Sequence, residues 1–255
     1  MVQQLALYSA IEDKSYALCV ETLTILSSNK PRLFANLNNV YKPNPSLQIE
    51  KVNAKNQMVE QTRVKLSTAI PISTLGNGEE LSYHFMSNLN TDEISSFNLQ
   101  RFMEEVENKN SNHWAFQISD IPAAGNNRKL SNQTIHESVI QSSSGSVSSF
   151  IDELGYVDDY NYIIVGVKFQ FVTGIIVEVY KVWQVVQTDN APATKLIAKN
   201  GFMIKAMYNV NKSTDIESIN KGSRYLLKLK SDLRDYIDLD IPDRKCMDTR
   251  LNHLD

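Results

Sequence analysis

The residues of this chain best suited to chemistry are Glu105, Glu107 and Lys109, which spell ExExK. On a β-strand, residues i, i+2 and i+4 share one face. Two carboxylates so placed can hold a divalent cation while the lysine meets a phosphate oxygen. Such a site also needs inward charges from other strands of a closed barrel. The strongly β-prone run 159–187 offers Lys168, Glu178 and Lys181, but Glu178 and Lys181 point to opposite faces of a strand. Segment 201–210 adds only Lys205, and segment 2–9 carries no charge. The ExExK run lies in a polar stretch with helical leanings, so it reads as solvated charge, and no catalytic residue is assigned.

Other chemistries have weaker footing. None of His84, His113, His136 and His253 has a second His or Cys at metal-ligand spacing, so no metal ligand is assigned. Ser143 to Ser146 lie in a Ser/Gly-rich link without the strand-turn-helix setting of a nucleophile elbow. No phosphate-binding loop or dinucleotide fingerprint occurs, and no cofactor is expected. Tyr160, Tyr162, Lys168 and Phe169 resemble an aromatic-basic surface for RNA, yet the same mixture suits any half-buried strand pair. With 26 Lys plus Arg against 29 Asp plus Glu, the net charge of -3 gives no footprint for direct nucleic-acid or anionic-membrane binding. Cys19 and Cys246 lie far apart, which fits a reduced intracellular compartment better than a disulfide framework. No apolar run of about 18 residues is present, and no membrane span is expected.

The elements that would position any site are mostly strands. Strands are expected at 2–9, 32–42, 61–66, 81–89, 113–121 and 201–210, and at 132–141, where a helix also fits the pattern. Two longer ones, 159–172 and 175–187, are joined by Thr173-Gly174 as a two-residue hairpin loop. Tyr162, Ile164, Trp183 and Val185 of this hairpin should lie in a barrel wall or core. Residues 147–154 suggest a short helix after the link. Thr214 and Glu217 make a capping-box pattern before a helix at about 215–238. Its apolar face is Ile216, Ile219, Leu226, Leu229, Leu233, Tyr236 and Ile237. Many strands with a helix near each end, and no β-α-β alternation, give an all-β-dominated α+β fold. The expected form is an antiparallel β-barrel with flanking N-terminal and C-terminal helices.

The N-terminal helix, about 14–28 and capped by Asp13, carries two apolar stripes. Tyr16, Cys19, Val20, Leu23, Leu26 and Ser27 make the core face. Leu18, Thr22 and Ile25 make a second stripe on a neighbouring face. One stripe is enough for a surface helix. The second can be covered by a loop from 43–60 or can receive an amphipathic helix from a partner, with Thr22 at the point of close approach.

Several segments carry a family resemblance. They are MVQQLAL at 1–7, YKPNP at 41–45, WAFQISDIPAAGNNR at 114–128 and GYVDDYNYIIVGVKFQF at 155–171. KVWQV at 181–185, GFMIKAMYNV at 201–210 and IPDRKCMDTR at 241–250 continue it. In this order the chain resembles the subunit 18 family of the Mediator head module, in its budding-yeast form. The resemblance implies a single barrel domain over 1–255, with a variable polar insertion at about 76–112 that is short here. It implies a barrel similar to that of the triphosphate tunnel hydrolases, but without catalysis. It also implies pairing with Mediator subunit 20, a tether through the C-terminal helix of Mediator subunit 8, and contacts with the RNA polymerase II initiation machinery in the nucleus. The alternative is a metal-dependent hydrolase of the triphosphate tunnel type. The barrel interior discriminates: an enzyme needs at least two inward carboxylates near inward lysines or arginines, whereas a scaffold can fill it with apolar or neutral side chains. A third reading is a peptide-binding barrel outside transcription.

Overall fold

The computed structural model describes residues 1–47, 60–71, 113–125, 128–141, 147–187 and 192–251. The expected strand at 81–89, the polar stretch 90–112 and ExExK lie outside these residues. The strands are β1 (Val2–Glu12), β2 (Arg32–Pro43), β3 (Val64–Ala69), β4 (His113–Ser119), β5 (Ser131–Gln141), β6 (Tyr156–Gln170), β7 (Ile176–Gln187), β8 (Pro192–Leu196) and β9 (Gly201–Val210). The helices are α1 (Tyr16–Ser27), α2 (Val147–Glu153) and α3 (Ile216–Leu233).

The sheet runs β6-β2-β3-β4-β5-β1-β9-β7-β8, and β6 also pairs with β7. That last pairing closes eight strands into an antiparallel barrel, which removes the open edges that would invite aggregation. Strand β8, which the sequence pattern did not suggest, lies outside the ring as an extra strand on β7.

The hairpin of β6 and β7 forms as its β-branched and aromatic residues require, but its loop differs from expectation. Phe171 N–H donates to Ile175 O (2.9 Å) and Gly174 N–H to Phe171 O (2.9 Å), so the loop is Val172 to Gly174. Gly174 takes a φ of 90°, the left-handed turn of a three-residue loop with a bulge. Within β6, a Cβ at Gly166 would fall 2.4 Å from Val179 O, so only glycine lets the two strands approach there.

Helix α1 is preceded by a 3₁₀ turn at Asp13–Ser15, and no side chain caps it. Asp13 pairs with Lys181 instead of capping (2.8 Å). Tyr16, Cys19, Val20, Leu23 and Ser27 are buried as expected, but Leu26 is 41% exposed. Helix α3 is capped by the Asp215 carboxylate accepting from Ser218 N–H (3.0 Å), not by the Thr214 and Glu217 pair. It stops at Leu233 because the chain then turns to bridge Asp240 onto Tyr8 of β1, with Tyr8 N–H to Asp240 O at 2.8 Å. Ile216 and Tyr236, expected in its apolar face, are exposed, and Gly222 takes a buried place. A Cβ at Gly222 would lie 2.3 Å from the Tyr208 ring, so this helix packs closely on β9.

The hydrophobic core sits outside the barrel. Leu5 and Leu7 of β1, Phe202 and Ile204 of β9, Val177, Val179 and Trp183 of β7, and Ile163, Val165 and Val167 of β6 are buried in one cluster with α1 and α3. Tyr16 of α1 stacks on Phe202 with ring centroids 4.3 Å apart. Since the helices flank the barrel, these alternate residues form its outer face, and their neighbours in sequence face the lumen. Of the hairpin residues expected in the wall, Trp183 and Val185 are on the outer face. Tyr162 and Ile164 are half-buried on the lumen face, and Ile163 packs outward opposite Trp183.

Candidate functional site: a charged lumen and an apolar helix stripe

Two rows of register partners together cross all eight barrel strands. Glu137, Gln117, Lys65 and Val40 lie side by side on β5, β4, β3 and β2. Lys168, Glu178, Lys205 and Tyr8 do so on β6, β7, β9 and β1. Residues directly opposite in register share a face. In the ring order, Lys65 on β3 and Lys205 on β9 are separated by β4, β5 and β1, on opposite sides of the barrel. Their charges nevertheless act on each other and on Glu178. That is possible only across the interior, so both rows face the lumen.

The lumen electrostatics follow from enclosure. Burial lowers the Lys65 ammonium to about 8, with the like charge of Lys205 adding to the effect. Burial also lowers Lys205, while Glu178 opposes that shift. Burial raises the Glu178 carboxyl against the pull of Lys205, Lys168 and Lys65. Tyr8 is raised to about 12, again by burial first and by Glu178 second, and the Lys205 ammonium lies 5.8 Å from its ring centroid. Lys65, Lys168, Glu178 and Lys205 all remain half-buried, so side chains do not fill the space around them. At the hairpin end, a cleft of about 640 Å³ is lined by Lys30, Arg32 and Lys168 among others.

The interior is thus neither apolar nor neutral, which corrects the expectation for a scaffold barrel. It is also not the interior that the hydrolase reading requires. Within these two rows Glu178 is the enclosed carboxylate, and it faces three lysines; Asp159, also largely buried, is taken up by Lys42 at 2.9 Å and Arg63 at 2.7 Å. Glu137 lies exposed at the far end of its row, where it accepts from the Gln117 amide. The described residues contain no group of three or more His, Cys, Asp and Glu able to hold a metal ion. A positive lumen disfavours a divalent cation.

Other sequence candidates fall apart in space. His113 starts β4, and His136 on β5 lies 3.7 Å from the Asp120 carboxylate. Tyr160 and Tyr162 stack on each other with centroids 6.1 Å apart, whereas Phe169 is fully buried on the other face. Cys19 lies on the buried face of α1, and burial pushes its thiol up to about 12, so it is an inert core residue. Sequence reasoning missed Lys65 and gave Lys205 too little weight. The available signal was one charge between two buried apolar residues: Val64-Lys65-Leu66, Val177-Glu178-Val179 and Ile204-Lys205-Ala206.

The second stripe of α1 faces outward. Leu18 is 57% exposed and Ile25 is 78% exposed, with Thr22 half-exposed between them. The Thr22 hydroxyl donates back to Leu18 O at 2.8 Å, which leaves its methyl group on the surface. Leu26 extends the apolar strip. Residues 48–59, most of the loop expected as an alternative cover, lie outside the described residues.

Comparison with known proteins gives concordant matches. The family described as Med18 protein matches residues 3–250. A Kluyveromyces lactis protein named Mediator of RNA polymerase II transcription subunit 18 is 77% identical over 255 residues, covering all of both chains. The protein of the same name in Eremothecium gossypii is 44% identical, covering all of this chain and 99% of the relative. The one in Saccharomyces cerevisiae is 37% identical over 306 aligned positions, covering 99% and 98%. Among solved structures, a chain of the Schizosaccharomyces pombe Mediator head module has the same fold, with a TM-score of 0.66 at 15% identity, covering 98% of this chain and 100% of that one.

Proposed function

Because the chain belongs to the Med18 protein family, we propose that it is a non-catalytic structural subunit of the Mediator head module, working by protein binding in RNA polymerase II transcription. The observation that carries this reading is full-length identity of 77% to a Mediator subunit 18. Its place of work is then the nucleus. The lack of catalysis is supported by the two described rows that face the lumen, where three lysines outnumber one enclosed carboxylate. Incubated with magnesium or manganese, the purified chain should release no phosphate from nucleoside triphosphates or 5′-triphosphate RNA. Turnover abolished by Glu105→Ala or Glu178→Gln would refute this.

At finer detail, the chain forms a heterodimer with Mediator subunit 20, is held by the C-terminal helix of Mediator subunit 8, and contacts the polymerase initiation machinery. The subunit 8 helix lies along Leu18, Thr22 and Ile25 of α1. Support comes from the stripe itself: two large apolar side chains flank a small residue at helical spacing, and an amphipathic helix needs such a groove. The barrel is a single domain over 1–255, with a variable polar insertion at about 76–112.

Co-expression with subunits 20 and 8, followed by size-exclusion chromatography, tests the assembly: co-elution of the three chains is expected, and a separate peak for this chain would refute it. Thr22→Arg should keep the melting temperature of the isolated chain, because an exposed substitution changes stability by about 0.5 kcal/mol or less. It should weaken binding of the subunit 8 helix. Unchanged binding with normal stability would move that helix elsewhere, and unfolding would favour a loop-covered stripe.

A further inference from the structure

We propose that the barrel lumen is a binding site for a compact multivalent oxyanion of the phosphate type, entered from the cleft at the hairpin end. The route is laid out by position. Arg32 pairs in register with Lys168, Lys168 with Glu178, and Glu178 with Lys205, so cationic groups lead from the cleft at Lys30 and Arg32 inward. Lys65 faces them from the opposite wall. Neighbouring strands are about 4.8 Å apart, so these groups surround a small ligand from several sides.

The charge balance is what calls for a ligand. Lys65, Lys168 and Lys205 face one enclosed carboxylate, an excess of two positive charges, and Glu137 reaches Lys65 only from the exposed end of its row. Buried charges are ordinarily paired. No ion pair within salt-bridge distance joins Lys65, Lys205 or Glu178 to another described residue. A bound oxyanion would accept from several ammonium groups at once and relieve the repulsion between Lys65 and Lys205. Lysines suit such a ligand as point charges on flexible stems. An enclosed lumen suits a compact anion better than a chain of acidic residues, whose backbone would need partners inside. The proposal is independent of subunit assembly and requires no bond to be broken.

Titration calorimetry of the full-length chain with inorganic triphosphate at pH 7 and low chloride tests it. One saturable site is expected, together with a rise in melting temperature. Lys205→Met and Lys65→Met should each weaken binding about tenfold or more. Glu178→Gln should tighten it, since it removes the competing negative charge. Lys228→Ala, on the exposed face of α3, should change nothing. Absence of binding, or wild-type affinity in both lysine variants, overturns the proposal. If the lysine variants fail to fold, unchanged affinity in Glu178→Gln overturns it equally. A polyglutamate peptide that binds where triphosphate does not would place an acidic peptide at the cleft and overturn the lumen site. Adenosine triphosphate separates the sources: binding as tight as free triphosphate means the lumen takes the phosphate tail of a nucleotide, and exclusion means it takes the free anion.

Discussion

Lys181 and Lys205 lie on adjacent strands of the same wall and face opposite sides of it. On the outer face, Lys181 is fully buried, yet it meets Asp13 at 2.8 Å and lies 4.5 Å over the Phe202 ring. On the lumen face, Lys205 is half-buried, opposite Glu178 in register and across from the like charge of Lys65. The first lysine is held by groups that form with the fold, and it pins the turn before α1 to the barrel. The second sits among groups that leave positive charge in excess. Paired buried charge belongs to the architecture, and uncompensated enclosed charge points to something the chain binds.

The comparison predicts large stability effects on the outer face and small ones in the lumen. The largest is expected for Trp183→Ala, which empties a fully buried site between the barrel and its helices. A loss of about 3–5 kcal/mol should appear in denaturant unfolding, and a near wild-type midpoint would show that the outer face is not the core. Next comes Asp13→Ala, which strips Lys181 of its carboxylate partner and should cost roughly 3 kcal/mol. The double change Asp13→Ala with Lys181→Met should recover most of that loss, because no buried charge remains. If the double variant is as unstable as the single one, the pair is not what fixes this corner.

In the lumen the expected effect is a pH dependence. Lys65 has its ammonium lowered in the folded state to about 8, from 10.5 in the open chain. Between these values the unfolded state binds more protons, so stability should rise as pH increases from about 8 towards 10. Lys205 is lowered too and adds in the same direction. Melting temperatures measured from pH 7 to 10 should therefore rise less, or fall more, in Lys65→Met than in wild type. Identical profiles would mean that Lys65 is not enclosed. The smallest stability effect is expected for Lys205→Met itself, within about 1 kcal/mol of wild type, because the repulsion it relieves offsets the contact it loses.

Much of the fold was legible because it rests on local patterns. The β-branched run of β6 and β7, the strand at 201–210 and the buried face of α1 follow from side-chain period alone. Segment 132–141, where a helix competed on pattern, is a strand because β1 and β4 flank it. The boundaries that moved did so for tertiary reasons. Asp13 left its cap for Lys181, and the chain after Leu233 left its helix to bridge β1. Leu26 was assigned to the core face of α1, but the helix is seated so that this position faces out.

The candidate site divides in the same way. Leu18, Thr22 and Ile25 were recognisable as a second stripe because helical spacing is a property of the chain itself. Lys65 and Lys205 were not recognisable as a pair, since β3 and β9 meet only across the lumen of a closed ring. The sequence by itself determined which residues alternate and to which family the chain belongs, because those depend on neighbours along the chain. Only the tertiary structure decided which of the two alternating faces is the inside. A strand pattern with period two marks two faces without labelling them. Here the apolar face is turned outward under the helices, which leaves the charged face around the lumen.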